Sequence, residues 1–257
     1  MALLNRTIWL SSFVALWIIE CKLFLRQPTA AFFTFVFPVL VFFMFGSLFG
    51  EAPMWDRHDV RYIDFYAPAL MAAYIGQAGL TNLTNFLAEY RLIGILKRYV
   101  VSPLSLGFYL CVHTVMQAVI FIFSSLILLL AAECVFDIHF HGHWAIVLFV
   151  GIVCIACFFT LGFLISGLFK SSRSIHALGQ FLFLVMFFIS GAAFPTPMFP
   201  SWLQTLSWAS PLTHVVATFS GVWLGDPISQ HANSLLFLTA IATLSYLISI
   251  RIFKWEA

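Results

Sequence analysis

The sequence predicts an all-α polytopic membrane protein, formed by a single transmembrane domain over residues 1–257. Hydrophobic residues make up 62% of the chain, 31 residues are Phe, and only 9% are charged. Six apolar runs approach the roughly 20 residues that a helix needs to cross a bilayer. These features exclude a soluble fold, and no basic patch indicates a nucleic-acid partner.

The amino-terminal stretch, residues 6–26, predicts an amphipathic elbow helix at the membrane interface. Arg6, Glu20, Lys22 and Arg26 make both ends too polar for a span, and the tryptophans suit headgroup depth. No small-residue cleavage pattern follows, so a removable signal peptide is not expected. Span 1 is expected at about 28–49, with a kink at Pro38.

Span 2 is expected at about 65–86, and its second half is unusually polar for a segment in lipid. Amides exposed to hydrocarbon are costly, so these side chains should face protein or an aqueous path. Gln77, Thr81 and Asn85 are spaced four residues apart and should form one helical stripe. The five polar residues are Gln77, Thr81, Asn82, Thr84 and Asn85.

Residues 87–100 predict a basic amphipathic helix between spans 2 and 3. Arg91, Gly94 and Arg98 fall near one stripe of the sequence EYRLIGILKRYVVSP, while neighbouring leucines and isoleucines provide apolar contacts. Such a helix could contact a membrane surface or a partner protein. A basic loop that only sets topology explains the same pattern.

The remaining spans are expected at about 104–132, 144–169, 176–194 and 233–250. Residues 195–225 are apolar but interrupted by prolines, so two short re-entrant helices are expected there. Ser201 with Gln204 predicts a capping box for the first, and Ser210 before Pro211 predicts a cap for the second.

The distribution of Lys and Arg predicts the orientation. Ten of the 12 fall on one side of the predicted spans and two, Arg57 and Arg61, on the other. By the positive-inside rule both termini and the 87–100 helix are cytoplasmic, and the 195–225 segment faces outward. The ten are Arg6, Lys22, Arg26, Arg91, Lys97, Arg98, Lys170, Arg173, Arg251 and Lys254.

The predicted spans contain little ionisable chemistry. No Asp, Glu, Lys or Arg lies near mid-depth, and His113 is interpreted as hydrogen-bonded to a neighbouring helix. None of the lysines follows a glycine, so a phosphate-binding loop is absent from the sequence. The Cys154 and Cys157 pair is interpreted as packing, and no catalytic constellation is present.

The sequence HFHGH presents the one candidate for a metal site. His139, His141 and His143 would share one face of an extended chain, as zinc ligands could. A short polar loop between two spans explains the same residues. No metal site and no cofactor on this chain are therefore expected.

Three motifs resemble the membrane subunits of type 2 ATP-binding-cassette exporters, especially the bacterial drug-resistance and nodulation-factor-like permeases, over nearly the full chain. They are ECKLFLRQP, which ends the elbow, EYRLIGILKRYVVSPLS, and SGAAFPTPMFPSWLQTLSWASPLTHVV. The second resembles the family's coupling helix. Leu92 stands where the family often has Glu, and Glu89 is the nearest substitute.

The resemblance implies a homodimer of six-span subunits in the bacterial inner membrane, with two cytoplasmic ATPase subunits that bind ATP and Mg²⁺. The exported substrate would be amphipathic: a drug, a lipid or a lipid-linked glycan. The implied coupling residues are Glu89, Arg91, Gly94, Lys97, Arg98 and Pro103. The path residues expected from the two stripes are Gln77, Thr81, Asn85, Gln180, Phe183 and Phe187, and the outer gate comprises Phe194, Pro195, Pro200, Trp202 and Pro211.

Other classes of function remain open at this point. A membrane-embedded enzyme would need polar groups that converge at one depth. A structural or assembly protein would need no ATPase, and a secondary carrier would need charges within its spans.

Overall fold

The computed structural model describes residues 2–54, 60–92, 106–169 and 171–252, and almost all of these residues are helical. Only an isolated bridge between Pro53 and Arg61 has β character within those ranges. Nine helices, α1 to α9, are described. They are α1 Ala2–Leu25, α2 over 28–49, α3 over 62–92, α4 Leu106–Phe136, α5 Trp144–Leu168, α6 Ser172–Ile189, α7 Ser201–Ser207, α8 Pro211–Trp223 and α9 Ala232–Ile252.

The first two helices are separated by a turn at the expected place. α1 ends at Leu25, and Pro28 lies in the first turn of α2, where a missing backbone N–H costs nothing. A π-helical segment, Phe32–Val36, comes directly before Pro38. Pro38 cannot donate to the carbonyl of Thr34, and the hydroxyl of Ser124 on α4 donates to that oxygen instead, at 2.7 Å.

α3 is the most sheltered long helix of the described structure. It consists of Tyr62–Gln77, the π-helical segment Ala78–Leu83, and Thr84–Leu92. Most of its side chains from Tyr62 to Ala88 are buried, and the apolar core is built around it. α8 packs against its first part, and α5 and α6 pack against the remainder. The predicted coupling helix, 87–100, is thus continuous with span 2 as far as Leu92.

Five helices of the described residues are long and apolar enough to cross a membrane. α3, which carries polar residues along its length, is not among them. The five are Phe32–Phe49, Cys111–Phe136, Trp144–Leu168, Ser172–Ile189 and Ile228–Ile252. The chain is therefore a multi-pass, nearly all-helical membrane protein.

From α2 onward, consecutive long helices alternate in direction and leave two unlike ends. We call one the loop-rich end, formed by residues 50–54, 60–61, 137–143 and 190–231; the opposite end holds Leu25, Leu92, Phe169 and Ile252. α9, the last helix of the described residues, packs along α5.

One predicted helix end and two predicted capping bonds differ from the structure. The fifth predicted span ends at Ile189 rather than 194, because the chain turns at Ser190 and Gly191, whose φ is +91°. Ser201 does not cap α7: Pro200 occupies the cap position, and Gln204 Nε2 donates to the carbonyl of Phe199, at 2.9 Å. Ser210 does precede Pro211 at the start of α8, but its hydroxyl makes no capping bond.

Candidate functional site

The π-helical segment of α3 lies against two neighbouring helices at backbone distance. A Cβ atom at Gly79 would meet the backbone of Phe158 on α5, and one at Gly162 would meet the carbonyl of Gly79. A Cβ at Gly179 on α6 would meet the carbonyl of Leu80. Only glycine permits such close approach, so α5 and α6 enclose the irregular turn of α3.

The five polar residues between Gln77 and Asn85 of α3 are all sheltered, as expected for groups that avoid lipid. Thr81 and Thr84 are buried, and Gln77, Asn82 and Asn85 are half-buried. The hydroxyl of Thr84 donates to the carbonyl of Thr81 at 2.9 Å. Thr81 Oγ1 and Asn85 Oδ1 have no hydrogen-bond partner among the described residues.

The expected single stripe of Gln77, Thr81 and Asn85 is altered by the π-helical segment. Gln77 shares a small cavity with Asn82, which follows it by five residues, together with Gln117 and Ser124 of α4. A π-helix bonds residues i and i+5, so its side chains recur at about that interval. The cavity measures ≈ 20 Å³, room for about one water molecule.

The three predicted path residues of α6 differ in exposure. Gln180 is exposed, whereas Phe183 and Phe187 are half-buried and contact each other with ring centroids 5.8 Å apart. The adjacent face of α6 exposes large apolar side chains: Phe181, Leu184, Val185 and Phe188. α6 therefore offers a broad apolar surface next to the sheltered polar residues of α3.

A buried polar cluster joins α1, α3 and α4 toward the opposite end. Glu20 is 7% exposed and His113 is 2% exposed, and Glu20 Oε2 lies 3.7 Å from His113 Nδ1. Tyr90 Oη donates to Glu20 Oε1 at 3.3 Å, and Gln117 Nε2 lies 3.4 Å from His113 Nε2. Phe86 stacks on the imidazole. The expected partner of His113 on a neighbouring helix is thus the carboxylate of Glu20 on α1.

At the loop-rich end, Arg61 ties the start of α3 to the end of α4. Its guanidinium forms two hydrogen bonds to the buried Asp64, of 3.0 and 3.2 Å, and this contact raises the pKa of Arg61. It also donates to the carbonyls of Phe136 and Asp137, at 3.3 and 2.6 Å. His139 Nδ1 accepts from Arg61 Nη2 at 2.8 Å.

The histidines of the HFHGH sequence are not gathered around one point. His139 contacts Arg61, and its ring stacks on that of His141 with centroids 6.1 Å apart. His143 precedes the first residue of α5. The described residues hold no group of three or more His, Cys, Asp or Glu that could bind a metal ion. Cys154 and Cys157 lie in the apolar core.

The predicted gate residues surround the two short helices at the loop-rich end. Phe194 and Trp202 are exposed, at 46% and 66%, Pro200 is exposed, and Pro195 is half-buried. Pro211 is buried and begins α8, whose side chains are nearly all sheltered. His214 fixes α8 to its surroundings through Ser234 at 3.0 Å and the carbonyl of Trp208 at 2.9 Å.

The predicted coupling residues fall mostly outside the described ranges. Glu89 is exposed on the last turns of α3, and Arg91 belongs to the same helix. Leu92, the residue at the family's usual Glu position, is 71% exposed. Gly94, Lys97, Arg98 and Pro103 lie outside the residues that the structure describes.

Comparison with known proteins gives a family match over most of the chain. Residues 11–224 match the model described as "ABC-2 type transporter". The chain is 27% identical over 175 residues to "Probable multidrug ABC transporter permease YbhR" of Escherichia coli strain K12, an alignment that covers 67% of this chain and 47% of that protein. It is 26% identical over 200 residues to "Putative transport permease ycf38" of Cyanophora paradoxa, covering 74% and 67%. The chain thus spans about half the length of the first of these relatives.

Proposed function

Since the chain belongs to the ABC-2 type transporter family and is thereby a membrane transport permease, we propose that it exports an amphipathic substrate with energy from a separate ATPase. The substrate class comprises drugs, lipids and lipid-linked glycans. One curated relative is named as a probable multidrug permease, which favours the first of these. The permease would lie in a bacterial inner membrane with both termini in the cytoplasm.

The observation that carries this proposal is the course of α3. It runs without a break from Arg61 at the loop-rich end, past the sheltered polar residues, to Leu92, where the basic stretch of residues 93–105 begins. A helix over 62–92 is long enough to cross a bilayer, and neighbouring helices shelter its polar side chains. We take it as the sixth span, which links a substrate path to an ATPase contact.

The proposed ATPase contact comprises Glu89, Arg91, Gly94, Lys97, Arg98 and Pro103. Three of these are cations, which could pair with carboxylates of a partner. The sequence has no phosphate-binding loop, so ATP and Mg²⁺ would be bound by two copies of the partner ATPase. Movement there would be transmitted along α3, whose irregular turn at Ala78–Leu83 is a place where a helix can bend.

The proposed path lies between two copies of this chain. α3 would contribute Gln77, Thr81 and Asn85, and α6 would contribute Gln180, Phe183 and Phe187. The apolar face of α6 is not covered by other described residues of this chain, so a second copy or the substrate could lie against it. The outer gate would be formed by Phe194, Pro195, Pro200, Trp202 and Pro211.

Charge reversal in the coupling stretch tests the proposal. The permease is purified from its host with the copurifying ATPase, and the variant Arg91→Glu with Arg98→Glu is compared with the wild type. We expect the variant to lose the ATPase, or to retain hydrolysis without substrate-stimulated turnover. Arg251→Glu, a change at an exposed cation near the other end of the chain, is the matched control. Normal association and coupled transport in the double variant would contradict the proposal.

A further inference from the structure

A cavity of ≈ 300 Å³ lies at the loop-rich end, between the start of α3, the end of α6 and the two short helices. Its volume is at the lower limit of sites that hold small organic molecules. Three aromatic side chains contribute to its wall: Tyr62 and Phe65 from α3, and Trp208 from the turn between α7 and α8. It is separate from the small cavity beside Gln77.

One face of α8 forms the opposite wall. Thr213, Val216 and Ala217 line the cavity at helical spacing, and Gly221 continues the same face. Thr213 is 3% exposed, and its hydroxyl has no hydrogen-bond partner among the described residues. A buried hydroxyl without a hydrogen-bond partner is destabilising. A ligand in the cavity would relieve that cost.

Asp226 places a carboxylate at the edge of this cavity. It is half-buried, and its Oδ2 lies 3.6 Å from His231 Nε2. A carboxylate can accept about four hydrogen bonds, so it has capacity for a ligand's donor as well as for its protein contacts. No Lys or Arg is found among the described lining residues. The wall is thus aromatic and hydroxyl-bearing with one negative charge.

We propose that this cavity is a binding site for a planar or aromatic organic cation with hydrogen-bond donors. The aromatic wall would contact the apolar body and the face of the charged ring system. Asp226 would pair with its charge or its N–H donors, and Thr213 would provide a further polar contact. In transport, the cavity would hold substrate near the exit. Only this role rests on the proposed function; binding of the cation does not.

The site can be tested without ATPase or transport. Ethidium, an aromatic cation with two amino groups, is titrated by fluorescence into the permease in nanodiscs, with empty nanodiscs as the background. The anionic dye 8-anilinonaphthalene-1-sulfonate serves as the probe of opposite charge. Asp226→Asn should weaken ethidium binding at least about tenfold, which is the loss of one charge-assisted contact, and should not weaken binding of the anion.

Matched variants separate the site from general effects. Thr213→Val should weaken ethidium binding about fivefold, whereas Thr239→Val, which removes an exposed hydroxyl bonded within α9, should not. Glu133→Gln at an exposed acid of the same end is the control for Asp226→Asn. Ala217→Trp should fill the cavity and weaken ethidium binding. It tests the site independently of the folding of Asp226→Asn.

If Asp226→Asn and Ala217→Trp both bind ethidium as tightly as the wild type does, the proposed binding site is wrong. It is also wrong if the wild type binds ethidium no more strongly than empty nanodiscs do. Export of another substrate in that case would leave the proposed function intact. Intact ethidium binding with no ATP-driven export would count against the proposed function alone.

Discussion

The contact between α5 and the π-helical segment of α3 predicts that a single methyl group at Gly162 destabilises the protein. An added Cβ would overlap the Gly79 carbonyl oxygen and lie 3.2 Å from its carbon and 3.3 Å from Leu83 Cδ2. Both carbonyl atoms belong to backbone, which cannot rotate away, so the two helices must separate.

The size of the effect follows from two opposing terms. Overpacking a close contact costs about 1–3 kcal/mol or more, while replacing a helical glycine by alanine recovers about 1 kcal/mol of helix propensity. Because the clash is with backbone, the upper end of the overpacking cost applies, and Gly162→Ala should lose on the order of 2 kcal/mol. Gly151 is a control on the same helix, because a Cβ there would lie at an ordinary 3.6 Å from Phe219 Cε2. Gly151→Ala should be neutral or slightly stabilising.

The assay is thermal unfolding of the purified variants in one detergent, read by a tryptophan or thiol probe. A chain of this size shifts by roughly 2–4 °C for each kcal/mol, so the two variants should differ in Tm by several degrees, with Gly162→Ala the lower. If Gly162→Ala unfolds at the same temperature as Gly151→Ala, the backbone contact between these helices is wrong.

Further predictions concern the buried polar clusters and the histidines at the loop-rich end. Glu20→Ala should lower the free energy of unfolding by about 1–3 kcal/mol because it leaves His113 and Tyr90 without their carboxylate. Tyr90→Phe should lower it by less. If wild type and Glu20→Ala unfold at the same denaturant concentration, the cluster does not stabilise the protein. Arg61→Ala should lower the free energy of unfolding by on the order of 3 kcal/mol because Asp64 would be left buried without its cation. Arg173→Ala, a change at an exposed arginine, is the control. His139→Ala, which removes one acceptor of Arg61, should have a smaller effect, and substitution of His139, His141 and His143 together should leave transport near wild type. A stoichiometric zinc signal that disappears in the triple variant would contradict the last expectation.

The sequence predicted those parts of the fold that depend on local chemistry. The break before Pro28 and the two short helices follow from proline positions, and five long helices agree with apolar length. The interfacial elbow over residues 6–26 stays a prediction. Polar residues marked α3 as sheltered. α3 is absent from the helices that are apolar enough to cross a membrane, which agrees with this polarity. Packing against neighbouring helices is what shelters its polar side chains.

Features that depend on contacts between distant segments could not be predicted. Glu20 and His113 are 93 positions apart, and neither residue's neighbourhood indicates that they meet. The π-helical segment has no local sequence rule, and it is why Gln77 is paired with Asn82 rather than with Thr81 in one cavity. The close approach between α3, α5 and α6 depends on how these helices pack, so the sequence around Gly79, Gly162 and Gly179 does not indicate it.

Thiol accessibility along α3 and α6 tests the central claim that these helices border a substrate path. Single cysteines are placed at Gln77, Thr81, Phe183 or Phe187 in a chain without its native cysteines, with Ile152, an exposed residue of α5, as the lipid-facing control. The account predicts that a water-soluble thiol reagent labels the path positions in a manner that depends on the nucleotide state of the partner ATPase and is reduced by substrate, while position 152 stays unreactive. Path positions that remain unreactive in every state would contradict it, and would assign these residues to helix packing.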